Sequence, residues 1–550
     1  MIGEVLVAAR AITQAQLDEA LEAQRRSGGF VGDALVAAGA ISGDDLARAL
    51  AEEARVPFSS LEGAAPDERA AALIPEDIAR RGRCVAVTPG PPGRTRVAQA
   101  NPFDVVTIDE LQRILAMPID LVCAPAREVE RLLGRAYGPG TSHHLRALVA
   151  ESVASLDRPL DEEEGDTSPI VRLVDALVED AVRAGATDLH LEPEELVLHV
   201  RHRVDGVLRQ ADTLPRGLQP PLVSRLKVLA GLDIAEQRLP QEGRITKPVL
   251  GRPVDLRVSS FPTVFGEKIA IRILEQEKLV RGLTDLGLNR RGLGLVQDLL
   301  GRSRGIILVT GPTGAGKTTT LYSALNVLGG RARNIMTVED PVEYEFPSIR
   351  QTQVRPRAGL TFATAIRSLL RQDPDIIMIG EIRDPETAQL AVRAALAGTL
   401  VFSTLHTQDA AGALPRLMDM GVEPYLLAST IAGVIAQRLV RLVCPRCKAA
   451  ASYPAATLAN AGLSPADTVT FVKGTGCEAC GETGYQGRTG VFEILMIDAA
   501  MHDLIGRRAD ARRIRDAAAR AGFKSIRDDA LSKAVLGQTT LDEVIRVSYE

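Results

Sequence analysis

The stretch Gly305-Ile-Ile-Leu-Val-Thr-Gly-Pro-Thr-Gly-Ala-Gly-Lys-Thr-Thr319 decides how this chain is read. Ile306 to Val309 are apolar and mostly β-branched, as in a buried parallel strand. Gly311 to Gly316 form a glycine-rich turn, and Lys317 opens a helix. Gly311, Gly316, Lys317 and Thr318 stand at the Walker A spacing. Phosphate is a compact anion with oxygens on every side. Glycines let backbone N–H groups curl around it, and a helix N-terminus adds partial positive charge. Gly311, Pro312, Thr313, Gly314, Ala315, Gly316, Lys317, Thr318 and Thr319 are therefore read as a nucleotide-binding loop. Lys317 is placed to reach the β and γ phosphates, and the Thr318 hydroxyl to ligate Mg²⁺.

Outward from this stretch, residues 286–443 alternate strand and helix patterns, which predicts a parallel sheet with helices on both faces. Three further blocks end predicted strands. Thr337-Val-Glu-Asp-Pro-Val-Glu343 carries Glu339, Asp375-Ile-Ile-Met-Ile-Gly-Glu381 has the Walker B form, and Leu400-Val-Phe-Ser-Thr-Leu-His406 ends in a histidine. Ligands bind at the carboxyl ends of parallel strands, so the three are expected to converge on the loop. Glu381 is expected to orient or deprotonate the attacking water, Glu339 to hold Mg²⁺ or that water, and His406 to sense the γ-phosphate. A carboxylate at a strand end is by itself an ordinary solvated group. The neighbouring loop is what gives these residues a role.

Composition narrows the class. A chain of 550 residues holds about three or four domains. Net charge is −5 with no basic tail, which counts against a nucleic-acid motor. The best candidate for a membrane span, Tyr425 to Ala436, is closed by Gln437-Arg438 and is too short to cross a bilayer. The start of the chain carries Glu4 and has no basic region ahead of an apolar one, so no signal peptide is expected and the setting is cytoplasmic. There the six cysteines stay reduced, and paired cysteines point to metal. Cys444-Pro-Arg-Cys447 and Cys477-Glu-Ala-Cys480 read as a tetrahedral Zn²⁺ site of four thiolates, structural because it is closed. The 29 residues between the knuckles read as an insertion carried on the metal. Cys84 and Cys123 stand alone and read as ordinary buried thiols.

The rest of the chain divides by pattern. Residues 1–57 hold a helical repeat in which Gly3-Glu-Val-Leu-Val-Ala-Ala aligns with Gly32-Asp-Ala-Leu-Val-Ala-Ala. Thr13 and Ser42 stand where helix N-caps are expected. Residues 58–138 read as a small α/β subdomain, with a hairpin of Cys84–Val87 and Thr95–Ala100. Residues 139–168 contain an acidic stretch, Asp157 to Asp166, too polar for a core and expected to be a flexible linker. Residues 169–285 read as an α/β domain with an antiparallel sheet, 444–497 as the cysteine subdomain and 498–550 as a helical cap.

These blocks together resemble the secretion ATPases of bacterial type II secretion and type IV pilus assembly. The resemblance covers nearly the whole chain. It rests on Ala186-Thr-Asp-Leu-His-Leu-Glu-Pro193, Leu239-Pro-Gln-Glu-Gly-Arg244, the Walker A loop and Val338-Glu-Asp-Pro-Val-Glu-Tyr344. It continues through Leu370 to Asp384, Ser403-Thr-Leu-His406 and the four cysteines. It implies an α/β multidomain chain with a RecA-like P-loop motor behind a PAS-like domain. It implies an ATP-hydrolysing homo-hexamer that meets an inner-membrane platform protein, with peripheral membrane association through partners. It also implies that Arg244 and Arg257 reach the nucleotide as the ring closes, supplying cations that the loop itself lacks. The long amino-terminal region and the cysteine knuckles favour assembly over retraction of a pilus.

The chain departs from the family pattern twice. The histidine block usually begins Gly-His, and here it begins Gly398-Thr399. The amino-terminal repeat resembles a cyclic di-GMP-binding repeat that begins Arg-Leu-Gly, but its units begin Met1-Ile-Gly and Phe30-Val-Gly. Without those arginines the guanine edges lose a bidentate donor. The module is thus expected not to bind cyclic di-GMP tightly, and to dock instead on a membrane-associated protein. Two other classes remain in view. A nucleic-acid translocase with the same core is disfavoured by the acidic balance, and a nucleotide-gated receptor by the intact Glu339 and Glu381.

Overall fold

The computed structural model describes residues 6–7, 12–27, 31–91, 93–115, 117–137, 143–155, 168–275, 281–329, 332–461, 463 and 470–549. Of the stretch read as a flexible linker, 139–168, residues His143–Ser155 instead form a helix with Leu145 and Leu148 buried, because its apolar side chains find a core. The acidic run 157–166 lies outside the described residues, as do Met1 and Phe30. The chain divides into two compact units, 1–251 with 256–273, and 252–255 with 274–550.

The first unit begins with helices Gln14–Ser27, Val31–Ala37 and Gly43–Ala54. Leu6, Ile12 and Leu17 share one core with their repeat equivalents Leu35, Ile41 and Leu46. Neither half buries these side chains alone, which is why the repeat is a pair. Ser42 caps its helix by accepting from Asp45 N, and Thr13 Oγ1 accepts from Gln16 N at 3.3 Å. Next, Cys84–Thr88 and Thr95–Gln99 form the expected antiparallel pair. Ile119–Cys123 adds a parallel strand that the sequence pattern did not reveal. Burial pushes the Cys84 thiol up to about 12 and that of Cys123 up to about 11, so both are inert.

A six-stranded antiparallel sheet follows, flanked by helices Pro169–Arg183 and Gln219–Ala230. Its strands are Asp188–Pro193, Val197–Val204, Val207–Pro215, Gln241–Val249, Arg252–Thr263 and Gly266–Glu275. Arg244 lies exposed on the fourth of these, and Arg257 half-buried on the fifth.

The second unit is built on a seven-stranded sheet. Its strands are β1 Gly305–Thr310, β2 Ile335–Glu339, β3 Arg350–Gln353, β4 Ile376–Ile379, β5 Leu400–Leu405, β6 Ile431–Val443 and β7 Tyr485–Met496. The order is β3-β2-β4-β5-β1-β6-β7, and only the β6–β7 pairing is antiparallel. All six residues of β1 are buried, because helices cover both faces. The apolar run Tyr425 to Ala436 divides between a short helix, Pro424–Thr430, and the start of β6. The chain leaves the sheet at Val443, passes through the cysteine segment, and returns as β7, which pairs with β6 from Gly433–Met496 to Val443–Tyr485. No described helix is long and apolar enough to cross a membrane.

Four helices close the chain: Ala499–Gly506, Ala511–Arg520, Ile526–Val535 and Leu541–Tyr549. Ile505, Ile514, Ala530 and Val544 join the same apolar core as Val434, Ala436 and Val491 of the sheet. The last helix is fastened by Glu543, whose side chain is 1 % exposed. Its carboxylate accepts from Arg441 Nη2 at 2.8 Å, the Arg441 backbone N–H at 2.8 Å and Arg546 Nη2 at 2.8 Å. Burial raises the Glu543 pKa, but the bonds from Arg546 and Arg441 outweigh it and hold the group at about 2, against 4.5 when free. A depressed carboxylate stabilises fully above its unfolded pKa and loses that contribution as pH falls toward the folded one. Glu543→Gln is therefore expected to cost about 2 kcal/mol at neutral pH, because it removes the buried charge on which half-buried Arg441 and exposed Arg546 converge. The gap from wild type should narrow as pH falls from 4.5 toward about 2. Urea denaturation at several pH values checks this, and a gap independent of pH in that window would contradict it.

Candidate nucleotide site and cysteine centre

The loop between β1 and helix α1 (Lys317–Leu328) is shaped by three glycines at positive φ: Gly311 at 148°, Gly314 at 80° and Gly316 at 86°. A Cβ at Gly311 would stand 2.6 Å from Gln437 O, so no other residue fits there. Pro312, Thr313, Gly314 and Thr318 are not buried, while Ala315 is. Lys317 Nζ donates to Gly311 O at 2.8 Å and Pro312 O at 3.0 Å. Burial lowers the Lys317 pKa, the Glu381 carboxylate pulls it back up, and the Arg438 guanidinium lowers it. One charge field thus joins the loop lysine, the residue after β4 and a residue of β6.

The parallel strands bring the sequence-predicted residues to one edge. Glu381 follows β4, and its side chain is 12 % exposed. Arg383 Nε lies 2.6 Å from Glu381 Oε2, and His406 Nε2, just past β5, lies 3.5 Å from the same oxygen. The Glu381–Arg383 turn is short and held. Ile382 N donates to Thr404 O at 3.1 Å, and Asp384 caps the next helix, α2 (Pro385–Leu396), by accepting from Thr387 N at 2.8 Å. Strand, turn and capped helix together fix the Glu381 backbone.

Glu339 ends β2 and is 3 % exposed. It accepts from Tyr322 Oη at 2.6 Å, Thr337 Oγ1 at 2.5 Å and Gln351 Nε2 at 3.0 Å. The Tyr322 hydroxyl in turn accepts from Glu343 N at 3.1 Å. Burial and the Glu339 charge push the Tyr322 pKa up, so the phenol stays protonated and keeps donating. A carboxylate this closely held can organise its surroundings but is poorly placed to exchange ligands. Thr399 lies at the start of β5 and His406 just past its end. The residue that replaces the family histidine is therefore on the sheet edge opposite the loop, 7 % exposed among structural contacts.

Sequence reasoning missed Gln437 and Arg438. They are the polar pair that closes the stretch Tyr425 to Ala436, which had served only to argue against a membrane span. Both lie on β6 beneath the loop, 1 % and 3 % exposed. Arg383, Tyr322 and Gln351 were also missed. Tyr322 and Gln351 meet Glu339 from 17 and 12 residues away in sequence, so no local pattern marks them. Arg383, by contrast, is only two residues from Glu381, and its charge beside that carboxylate was a signal in plain view.

The four cysteines of the second centre converge. Their sulfurs lie within 4.8 Å of one another, with Cys444–Cys477 at 3.8 Å, Cys447–Cys480 at 3.9 Å and Cys477–Cys480 at 3.7 Å. A tetrahedral ion with metal–sulfur bonds of about 2.3 Å has sulfur–sulfur edges of about 3.8 Å. The donor set and spacing fit such an ion. The segment between the knuckles is not carried on the cysteines alone. Lys448–Ala451 pairs with Phe471–Gly474, Tyr453 meets Phe471 edge-on at 5.8 Å, and Phe471 and Ala461 join the main core.

Residues 163–546 match the family model described as Type II/IV secretion system protein, and residues 54–143 match the MshEN domain. The chain is similar to the type IV pilus assembly ATPase PilB of Myxococcus xanthus, 40% identical over 559 residues that cover 99% of this chain and 98% of that one. It is similar to type II secretion system protein E of Pseudomonas aeruginosa, 48% identical over 404 residues that cover 74% of this chain and 80% of that one. Among solved structures, the ATPase DotB of Legionella pneumophila shares the fold, with a TM-score of 0.51 and 21% identity over 69% of this chain and 95% of that chain.

Proposed function

This chain belongs to the type II/IV secretion system ATPases, and we propose that it drives type IV pilus assembly. The observation that carries this reading is coverage: the pilus assembly ATPase matches 99% of the chain, amino-terminal module included. A second reading, type II secretion, draws on the higher identity, 48%, to a secretion protein over a shorter span. In either case the active form is a homo-hexamer in the cytoplasm, held at the inner membrane through a platform protein and a membrane-associated docking protein, and nucleic acid is not a partner. Co-purification from a host that carries both machineries separates the readings. Capture of the pilus platform protein is expected, and exclusive capture of the secretion platform protein would reverse the choice.

We propose the following division of roles. ATP lies with its phosphates against the amides of Gly311–Thr319, and Lys317 exchanges its two carbonyl bonds for phosphate oxygens. Bound at the Thr318 hydroxyl, Mg²⁺ would neutralise charge that develops between the β and γ phosphates. Glu381, fixed by Arg383, orients the attacking water and accepts its proton, and His406 reports on the γ-phosphate through the same carboxylate. Glu339 acts as a positioning residue, because direct ligation of Mg²⁺ or water would require it to exchange bonds to Tyr322, Thr337 or Gln351. Arg244 and Arg257 act as fingers on the nucleotide in the assembled ring. The division has a kinetic signature. Lys317→Ala should abolish ATP binding, and Glu381→Gln should preserve binding and block turnover. Arg244→Ala or Arg257→Ala should lower turnover by about 10³-fold or more with affinity nearly unchanged. Equilibrium binding and single-turnover hydrolysis on the assembled protein check all three. Near-normal hydrolysis by Glu381→Gln would remove it from this role.

We propose zinc for the cysteine centre, with Cys444, Cys447, Cys477 and Cys480 as ligands. Four thiolates and a closed shell suit a structural ion. Because Cys444 follows β6 directly, its loss should free the adjoining ends of β6 and β7 while β1 stays protected. One zinc per chain is expected by elemental analysis, and Cys447→Ser should speed amide exchange across residues 444–485. Protein purified without chelator and found metal-free would refute the assignment.

A further inference from the structure

We infer that Gln437 and Arg438 form a two-sided clamp that sets the phosphate loop against the segment following His406, and that the two residues control different steps. The inference rests on reading Gly311–Thr319 as the ATP site. β1 pairs with β6 up to Thr310–Ala436, so Gln437 stands beside the point where the chain leaves the sheet to form the loop. Its amide faces the loop on both sides. Nε2 donates to Ala315 O at 2.6 Å, and Oε1 accepts from Thr320 Oγ1 at 2.7 Å. Thr320 is 4 % exposed, so the bridge from the loop through the amide to the first turn of α1 is shielded from water. The Gln437 carbonyl fills the space that a side chain at Gly311 would need, 2.6 Å from that Cβ position. The loop therefore has a floor at Gly311, where the Gln437 carbonyl is the nearest group and Ala315 and Arg438 stand beside it.

Arg438 works in the opposite direction along the same edge. Nη1 donates to Gln437 O at 3.0 Å, and Nη2 donates to Gln408 O at 2.7 Å. Gln408 is two residues beyond His406, on the segment that leaves β5. One planar guanidinium thus ties that segment to the floor of the loop. Thr310 joins the same tie, since its Oγ1 accepts from Thr407 N at 3.0 Å. The Arg438 charge is also felt at Lys317. A lysine would keep that charge but lacks the fork that spans two carbonyls.

The chemistry gives Gln437 control of the ground-state shape of the loop. Arg438 sets the position of His406 relative to the phosphates, which matters when the γ-phosphate departs. Loop amides misplaced by part of an ångström weaken binding, whereas misplaced groups around the γ-phosphate slow the step. The test compares Gln437→Ala, Thr320→Val and Arg438→Lys by ATP binding and single-turnover hydrolysis, each under conditions where thermal melting shows the variant folded. Gln437→Ala is expected to weaken ATP binding by about tenfold or more, with turnover at saturating ATP within about threefold of wild type. Thr320→Val cuts the same bridge without enlarging a cavity and should reproduce that pattern, which keeps the test valid if Gln437→Ala fails to fold. Arg438→Lys should hold affinity within about threefold and lower turnover by about tenfold or more. Proportional losses of affinity and turnover in all three, or no loss in any, would overturn the clamp. Lys317→Ala is the control: if it binds ATP normally, the reading of the loop itself fails, whereas loss of binding there with normal kinetics in the other variants rejects only the clamp.

Discussion

The parallel pairing of β1 between β5 and β6 is the constraint on which the candidate site depends. Gly305 to Thr310 pair with Leu400 to Leu405 on one side, and Ile306 to Thr310 with residues up to Ala436 on the other. Parallel strands carry their carboxyl ends to one edge, so the loop after β1 and the residues after β2, β4 and β5 meet without any long-range search by side chains. All six residues of β1 are buried, with Ile306 and Leu308 packed in one apolar core and Ile307 and Val309 in the other, so the strand is held from both faces.

Polar groups inside β6 turn that strand into a spine. Gln437 reaches the glycine-rich loop after β1, Arg438 the segment beyond His406, Arg441 the last helix through Glu543, and Cys444 just past its end belongs to the cysteine centre. A buried polar atom left without a partner costs about 1–3 kcal/mol, so each of these groups requires its distant partner to be in place. Loop, helical cap and cysteine module are thereby locked to the same short span, Gln437 to Cys444. Glu339 plays a similar part at the other side of the sheet, where three donors from three elements converge on one carboxylate.

The same geometry accounts for the departure at position 399. Thr399 and His406 flank one strand, and a strand advances about 3.3 Å per residue, so they lie on opposite edges of the sheet. Within a chain, only His406 shares the edge with Glu381 and the loop. Thr399 instead belongs to the amino-terminal edge, where its carbonyl accepts from Gly305 N at 3.3 Å.

Much of this was legible in the chain. The loop glycines, Lys317, Glu339, Glu381, His406 and the four cysteines announce themselves, because phosphate cradles, strand-end carboxylates and thiolate pairs need particular residue types at short fixed spacings. The repeat of residues 1–57 was legible for the same reason, since Leu6, Ile12 and Leu17 recur as Leu35, Ile41 and Leu46 and share a core. What stayed hidden was every contact whose partners are far apart in sequence. Local pattern marked Gln437 and Arg438 only as an interruption in an apolar run, and it treated the cysteine segment as a separate insertion. It gave no sign that Lys247 would donate to Asp175, a partner from a different element of the antiparallel-sheet domain. Sequence by itself determined which chemistry the chain carries and that its strand ends would gather at one edge. Only the tertiary structure decided which buried polar groups hold that edge in place, because a hydrogen-bond partner is chosen by which strands lie side by side, and strand neighbours are set by the packing of the whole sheet.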